Sequence, residues 1–152
     1  VADAVKIPVV AAGGIADGRG VAAAFMLGAS GVQCGTVFLT AEECNIHENY
    51  KQRVLDAKDT GTVVTGRSGG HPVRCLKTPS TRTILAMEQE NRPSEVIEEF
   101  LAGSLRKAVM DGNLEEGSFM CGSIAGMIHS RGACKEIIEN MFAQAKRLLY
   151  HG

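Results

Sequence analysis

The chain has 152 residues, 45% of them hydrophobic and 22% charged, with a net charge of −1. That is one domain's worth of chain, long enough to bury a core, and its near-neutral charge without a basic patch interleaved with aromatics argues against a nucleic-acid partner. No apolar run reaches the roughly 18 residues of a membrane span and no signal peptide precedes the first strand, so neither a membrane nor an export route is expected.

Ile7 to Ala12 is a continuous apolar run, which predicts a parallel strand buried on both faces, with Pro8 at its start where a missing ladder donor is tolerated. Gly13-Gly14 then lets backbone N–H groups approach a ligand that no β-carbon blocks. Asp17 is placed to cap a helix whose Val21, Ala24 and Phe25 share one face, and Gly28 suits the left-handed position just past its end. Val32 to Gly35 reads as a second strand one βα unit later, and Val37 to Ala41 as a short helical turn whose N–H groups face the same place. Two successive strands that end in glycine turns make a ready anion cradle, and in (β/α)8 barrels the loops after strands 7 and 8 frequently bind a phosphate.

His47 to Ala57 is expected to be a helix with Tyr50, Val54 and Ala57 inward and Gly61 ending it. Thr62 to Thr65 is β-branched and strand-like, an excursion outside the barrel, and Arg67 to Thr81 reads as an ordered loop. Thr81 to Gln89 is helical in pattern, and Asn91-Arg92-Pro93 breaks it. Ser94 caps one further helix with Ile97, Leu101, Leu105 and Ala108 as its stripe and Gly112 at its end. Glu115 to Gly122 turns into Ser123–Ile128, and Ala133 to Tyr150 is the last helix, with Ile138, Met141, Ala145 and Leu148 on its core face. The chain divides into residues 1–60, the last βα units with the glycine turns, and residues 61–152, a loop and helical region of the same domain.

AAGGIADGRG followed by FMLGASGVQCGTVFLTAEE resembles the FMN-binding half of the nitronate monooxygenase and flavin-dependent enoyl-ACP reductase superfamily, and GHPVRCLK looks closer to the enoyl reductase branch. The resemblance implies an α/β fold, the C-terminal part of a (β/α)8 TIM barrel with a helical extension. A whole barrel takes about 250 residues, only two strand-helix units are visible, and the chain starts at Val1, so it reads as a C-terminal portion of a larger protein.

The resemblance further implies that Gly13, Gly14, Gln33, Cys34, Gly35 and Thr36 hold the FMN phosphate and ribityl chain. The reaction implied is NAD(P)H-dependent reduction of a trans-2-enoyl group on acyl carrier protein in bacterial fatty-acid synthesis. A monovalent cation is a possible further requirement, a homodimer a candidate assembly, and the cytoplasm the expected location. A nitronate monooxygenase, which oxidises alkyl nitronates with dioxygen, would use the same cradle, and a non-catalytic incomplete fragment is the third reading. The family often has asparagine where Thr78 stands and glutamine where Ser123 stands.

Gln33 either touches the cofactor or closes its strand. His71 follows two glycines, as the family's catalytic histidine does, but that element lies upstream of the AAGGI strand in family members and His71 sits in a different motif, so the catalytic role is not transferred and the catalytic residue is unknown. His71 and Arg74 are candidates for a substrate or carrier loop, and Arg74 with Lys77 forms either an anion contact or a solvated basic face. His47, His129 and His151 lack metal-ligand spacing, and Pro72 argues against a helix that would pair His71 with Cys75, so no metal is expected. Five cysteines, Cys34, Cys44, Cys75, Cys121 and Cys134, include no C-x-x-C pair and fit a reducing compartment, most as small core hydrophobes.

Overall fold

The computed structural model describes residues 1–150; His151 lies outside the described residues. In chain order the elements are a 3-10 turn at Ala2–Ala4, β1 (Val10–Ala12), α1 (Gly18–Met26), β2 (Gly31–Gln33), a 3-10 turn at Thr36–Thr40, α2 (Glu48–Leu55), β3 (Thr62–Thr65), β4 (Val73–Leu76), α3 (Pro79–Gln89), α4 (Ser94–Leu101), α5 (Ser104–Val109), a 3-10 turn at Ser123–Met127 and α6 (Cys134–Tyr150). They group into two units, one made of Val1–Cys44 with the segment from Ser130 onward, the other of Asn45–His129. The first unit takes in the end of the chain because α6 returns to pack on α1.

In the first unit β1 and β2 pair in parallel, Val10 with Gly31, Ala11 with Val32 and Ala12 with Gln33. Asp17 caps α1 as its position foretold: one carboxylate oxygen accepts from the N–H groups of Arg19 and Gly20 at 2.9 and 3.3 Å. Gly28 follows the helix at φ +89°, a conformation that favours glycine. Ile15, Val21, Ala22 and Ala24 meet Met141 and Ala145 of α6 in one apolar cluster. The expected burial of the first strand on both faces does not hold in this chain: Val10 is 56% exposed and Ile7 73%. β1 has one strand neighbour, and Ile7 and Pro8 precede the ladder. On α6 the buried residues are Met141 and Ala145, while Ile138 and Leu148 are exposed, because the face turned to α1 is narrower than the apolar stripe. Its first turn is closed from far away: both oxygens of Glu43 accept from the Cys134 N–H, at 3.0 and 2.9 Å.

In the second unit β3 and β4 form an antiparallel hairpin, Thr62 opposite Leu76 and Thr65 opposite Val73. The expected loop at residues 67–81 therefore contains a strand, hidden by its glycines, proline and charges. Tyr50 and Val54 are buried as the helical pattern required; the Tyr50 ring meets Phe119 edge-on at 4.8 Å, and its hydroxyl donates to the Met120 carbonyl at 2.6 Å. α2 ends at Leu55 with Asp56 as its cap, and Gly61 instead closes the following turn, its N–H donating to the Lys58 carbonyl at 2.7 Å. The single helix expected from Ser94 to Gly112 is two, since Gly103 at φ +73° breaks it; Ser94 is the first helical residue, after Pro93, rather than a cap. Thr78 caps α3 through a reciprocal box with Thr81. Threonine and asparagine are both good caps, so either residue can start this helix.

Two outcomes follow for stability. Partial burial acts to raise the pKa of Asp17, but hydrogen bonds from the Arg19 side chain and the Gly20 and Arg19 N–H groups, with the Arg19 charge, outweigh it and hold the carboxyl below its ordinary 3.8. The cap's ionic contribution is therefore complete above that value and disappears as the pH falls through the lower folded-state pKa. Asp17→Ala should cost about 1 kcal/mol in urea unfolding at pH 7, and the gap from wild type should narrow on acidification; a gap constant with pH would mean that the charge plays no part. Ser80 is buried at 2% exposure with no hydrogen-bond partner for its hydroxyl. Ser80→Ala removes that orphan and should raise stability by up to about 1 kcal/mol; a loss of stability would show that the hydroxyl is satisfied.

Candidate functional site

The parallel register places Ala12 beside Gln33, so the chain leaves both strands side by side, at Gly13 and at Cys34. Gly13 and Gly14 stand at φ +88° and +74°, and a β-carbon at either would meet nothing within 4 Å. Only glycine takes up two such torsions in succession without strain. Gly35, at φ −118°, is under no such constraint, yet a β-carbon there also meets open space. The three glycines thus expose backbone at one end of the strand pair, and a 3-10 turn opens directly after them at Thr36.

The amino end of α1 is closed to an anion, since the Asp17 carboxylate sits on it and the Gly18 N–H donates to Gln144 Oε1 at 2.8 Å. An anion arriving here would therefore meet the two strand-end turns and not the helix. A phosphate fits that surface in space, since no side-chain bulk stands at Gly13, Gly14 or Gly35. Gln33 is exposed at the strand end, and Cys34 is half-buried against the apolar cluster. Burial pushes the Cys34 thiol up, so it stays protonated at neutral pH and offers backbone rather than a nucleophile.

His71 and Arg74 belong to the second unit. His71 lies in the loop between β3 and β4, exposed, with its N–H donating to the Gly66 carbonyl at 3.0 Å. Arg74 lies on β4 and donates to Thr62 Oγ1 at 3.0 Å. Ser123 is exposed and opens a 3-10 turn. Among the described residues no three His, Cys, Asp or Glu side chains converge as a metal would require, and no helix is long and apolar enough to cross a membrane. Sequence reasoning missed two cavities bordered by His71, about 60 and about 210 Å³; for the larger, a glycine at position 103 inside an otherwise helical stripe was the available signal.

Among the thiols, burial pushes Cys75 up to about 11, partly offset by a hydrogen bond with Thr65. Burial pushes Cys121 up to about 12, with the neighbouring Cys75 adding to it and Arg74 opposing. Both should resist iodoacetamide at pH 8 in the folded protein and react in urea, read by mass spectrometry; rapid modification of either in the native state would contradict the packing.

A family model described as nitronate monooxygenase matches residues 1–144. A probable nitronate monooxygenase of Staphylococcus haemolyticus is 36% identical over 149 residues, which is 98% of this chain and 42% of that protein. Among solved structures, FabK from Thermotoga maritima superposes with a TM-score of 0.94 at 50% identity, over 99% of this chain and 48% of that one. Nitroalkane oxidase from Streptomyces ansochromogenes does so with a TM-score of 0.75 at 26% identity, over 97% and 42%. The chain belongs to the nitronate monooxygenase family and spans less than half the length of these relatives. Its fold is part of a TIM barrel, and the family's members are FMN-dependent oxidoreductases.

Proposed function

We propose that this chain is the cofactor-phosphate half of an FMN-dependent enoyl-acyl carrier protein reductase that draws its reducing equivalents from NAD(P)H. The observation that carries the cofactor site is the pair of glycine turns leaving two in-register parallel strands, with open space wherever a β-carbon would stand. FMN, when bound, supplies the redox chemistry. The chain's own part is to bind and orient: the backbone of Gly13, Gly14 and Gly35 approaches the phosphate, Thr36 adds a hydroxyl, and Gln33 and the Cys34 backbone border the adjoining chain of the cofactor. Backbone donors aimed at a phosphate are charge-assisted and need no arginine, which suits a site where Arg19 is already paired with Asp17 at 2.6 Å.

The reductase reading is supported by the 50% identity to FabK, an enoyl-ACP reductase II, and by GHPVRCLK. The partner it calls for is an acyl carrier protein bearing the enoyl group; a homodimer and a monovalent cation belong to the same reading without residues assigned to them. The proton donor is assigned to no residue of this chain. The second reading, oxidation of alkyl nitronates with dioxygen, is favoured by the family model and the Staphylococcus relative. Both use the same cradle, and they differ in substrate. A third follows from the two-stranded β1–β2 sheet, whose outer strand edges are unpaired among the described residues: residues 1–152 by themselves are expected to turn nothing over.

Gly14→Val places a β-branched side chain where φ is +74° and backbone must meet phosphate. The full-length variant should lose most of its FMN, read as flavin absorbance per protein after gel filtration; stoichiometric flavin would put the phosphate elsewhere. The wild-type protein should consume NAD(P)H with a crotonyl thioester. Rapid oxidation of an alkyl nitronate with no crotonyl turnover would replace the first reading by the second.

A further inference from the structure

The loop between β3 and β4 holds the histidine that the proposed cofactor site leaves unused. Gly66 and Gly70 stand at φ +79° and +74°, and a β-carbon on Gly66 would run into the His71 carbonyl, so the glycines set the loop's path. That path lays His71 along both cavities, and Gly66, His71 and Leu101 border each of them. The two spaces therefore adjoin across these residues.

Their walls differ. The larger, of about 210 Å³, is faced by Val73, Cys75, Leu105 and Met120. It also touches Ser104 and Ser118, whose buried hydroxyls bond each other at 2.9 Å and so present no orphan polar group. The smaller, of about 60 Å³, has Ser68, Ser94 and Glu98 at its border. Strand alternation separates the two residues singled out in this stretch: Val73 and Cys75 share the cavity side of β4, while Arg74 turns to the other face and bonds Thr62. The room comes from Gly103, whose left-handed turn parts α4 from α5 beside Ser104.

We propose that this double cavity takes the acyl chain of a thioester, its apolar tail in the larger chamber and its neutral, amide-bearing arm toward Ser94 and Glu98, with His71 and Leu101 at the passage between. This rests on the enoyl-thioester reading above. The polarity favours that ligand class: Glu98 accepts from an amide N–H but repels a free fatty carboxylate or a phosphate. The larger chamber lies below the roughly 300 Å³ at which drug-sized sites begin, so it limits the tail to a short one. Leu105 and Leu101 then set the chain length and His71 sets the passage.

The test is calorimetric titration of the full-length protein with octanoyl-pantetheine and butanoyl-pantetheine, which are saturated and do not turn over. Leu105→Trp should weaken octanoyl binding by at least about tenfold, as methylenes lose their burial, with butanoyl binding changed far less; Leu105→Met should bind as wild type. Leu101→Phe, which borders both chambers, should give the same selective loss and serves if the tryptophan variant does not fold. His71→Ala should widen the passage and move the preference toward longer chains. Octanoyl binding unchanged in both folded bulky variants overturns the proposal. The two readings separate cleanly. Chain-length-dependent binding with no turnover of crotonyl thioester sinks the reaction and keeps the cavity, whereas turnover with a chain-length preference that neither bulky variant alters keeps the reaction and sinks the cavity.

Discussion

The first unit hangs on the close approach of α1 and α6 at Gly18. A β-carbon there would run into the Met141 carbonyl and the Ala145 N–H, and the Gly18 N–H itself donates to the Gln144 side chain at 2.8 Å. The atoms such a β-carbon would meet are the backbone of Met141 and Ala145 and the β-carbon of Gln144, none of which can swing aside. This close approach clamps the start of α1, which Asp17 caps, and α1 in turn lies over the strand pair whose ends carry Gly13, Gly14 and Gly35. A phosphate cradle made of backbone needs its two turns held at a constant separation, because no flexible side chain can make up an error. The parallel ladder sets that separation, and the helix clamp keeps the ladder covered on one face.

A second economy concerns charge. Asp17 occupies the amino end of α1, where a phosphate would otherwise be drawn by the helix dipole. The proposed phosphate surface is thus confined to the strand-end turns, and Arg19 is paired with Asp17 rather than left as a competing cation. At the carboxyl side of the same unit Glu43 does for α6 what Asp17 does for α1, from 91 residues away in sequence. Both helices of the clamp therefore begin on a carboxylate, one local and one distant.

That contrast also explains what could be read in the sequence. Asp17, the glycine turns, Gly28 and the buried face of α2 were legible because each depends on residues within one or two turns of each other, and the pairing of the strand ends because a single βα unit joins them. Glu43 was not, since its partner is set by the fold. β4 escaped because Gly69, Gly70 and Pro72 mark a turn and the charged Arg74 sits on the outward face of the strand, which breaks the apolar run without breaking the strand. The helix break at Gly103 was missed because a hydrophobic stripe persists across it: Ile97 and Ala108 are both buried although they lie on different helices. The pattern reports which residues face inward, and it is silent about whether the backbone between them is continuous.

The division of labour proposed between the glycine turns and the His71 cavities is one that physical chemistry would impose on any such protein. A cofactor's phosphate is its handle, remote from its reacting ring, so the residues that grip it are under pressure only to match a tetrahedral dianion. Backbone would do that irrespective of what the ring later reduces or oxidises, so the proposed cradle suits either of the two readings. Substrate choice has to be made where side chains vary in size and polarity. On the proposal above, that place is the hairpin loop and the α4–α5 break of the second unit, where Leu105, Leu101 and His71 border a chamber and Arg74 is turned away from it. Each of those three side chains is at least partly exposed, so changing one alters the chamber with little cost to the core, which is the condition under which specificity can be tuned separately from the fold.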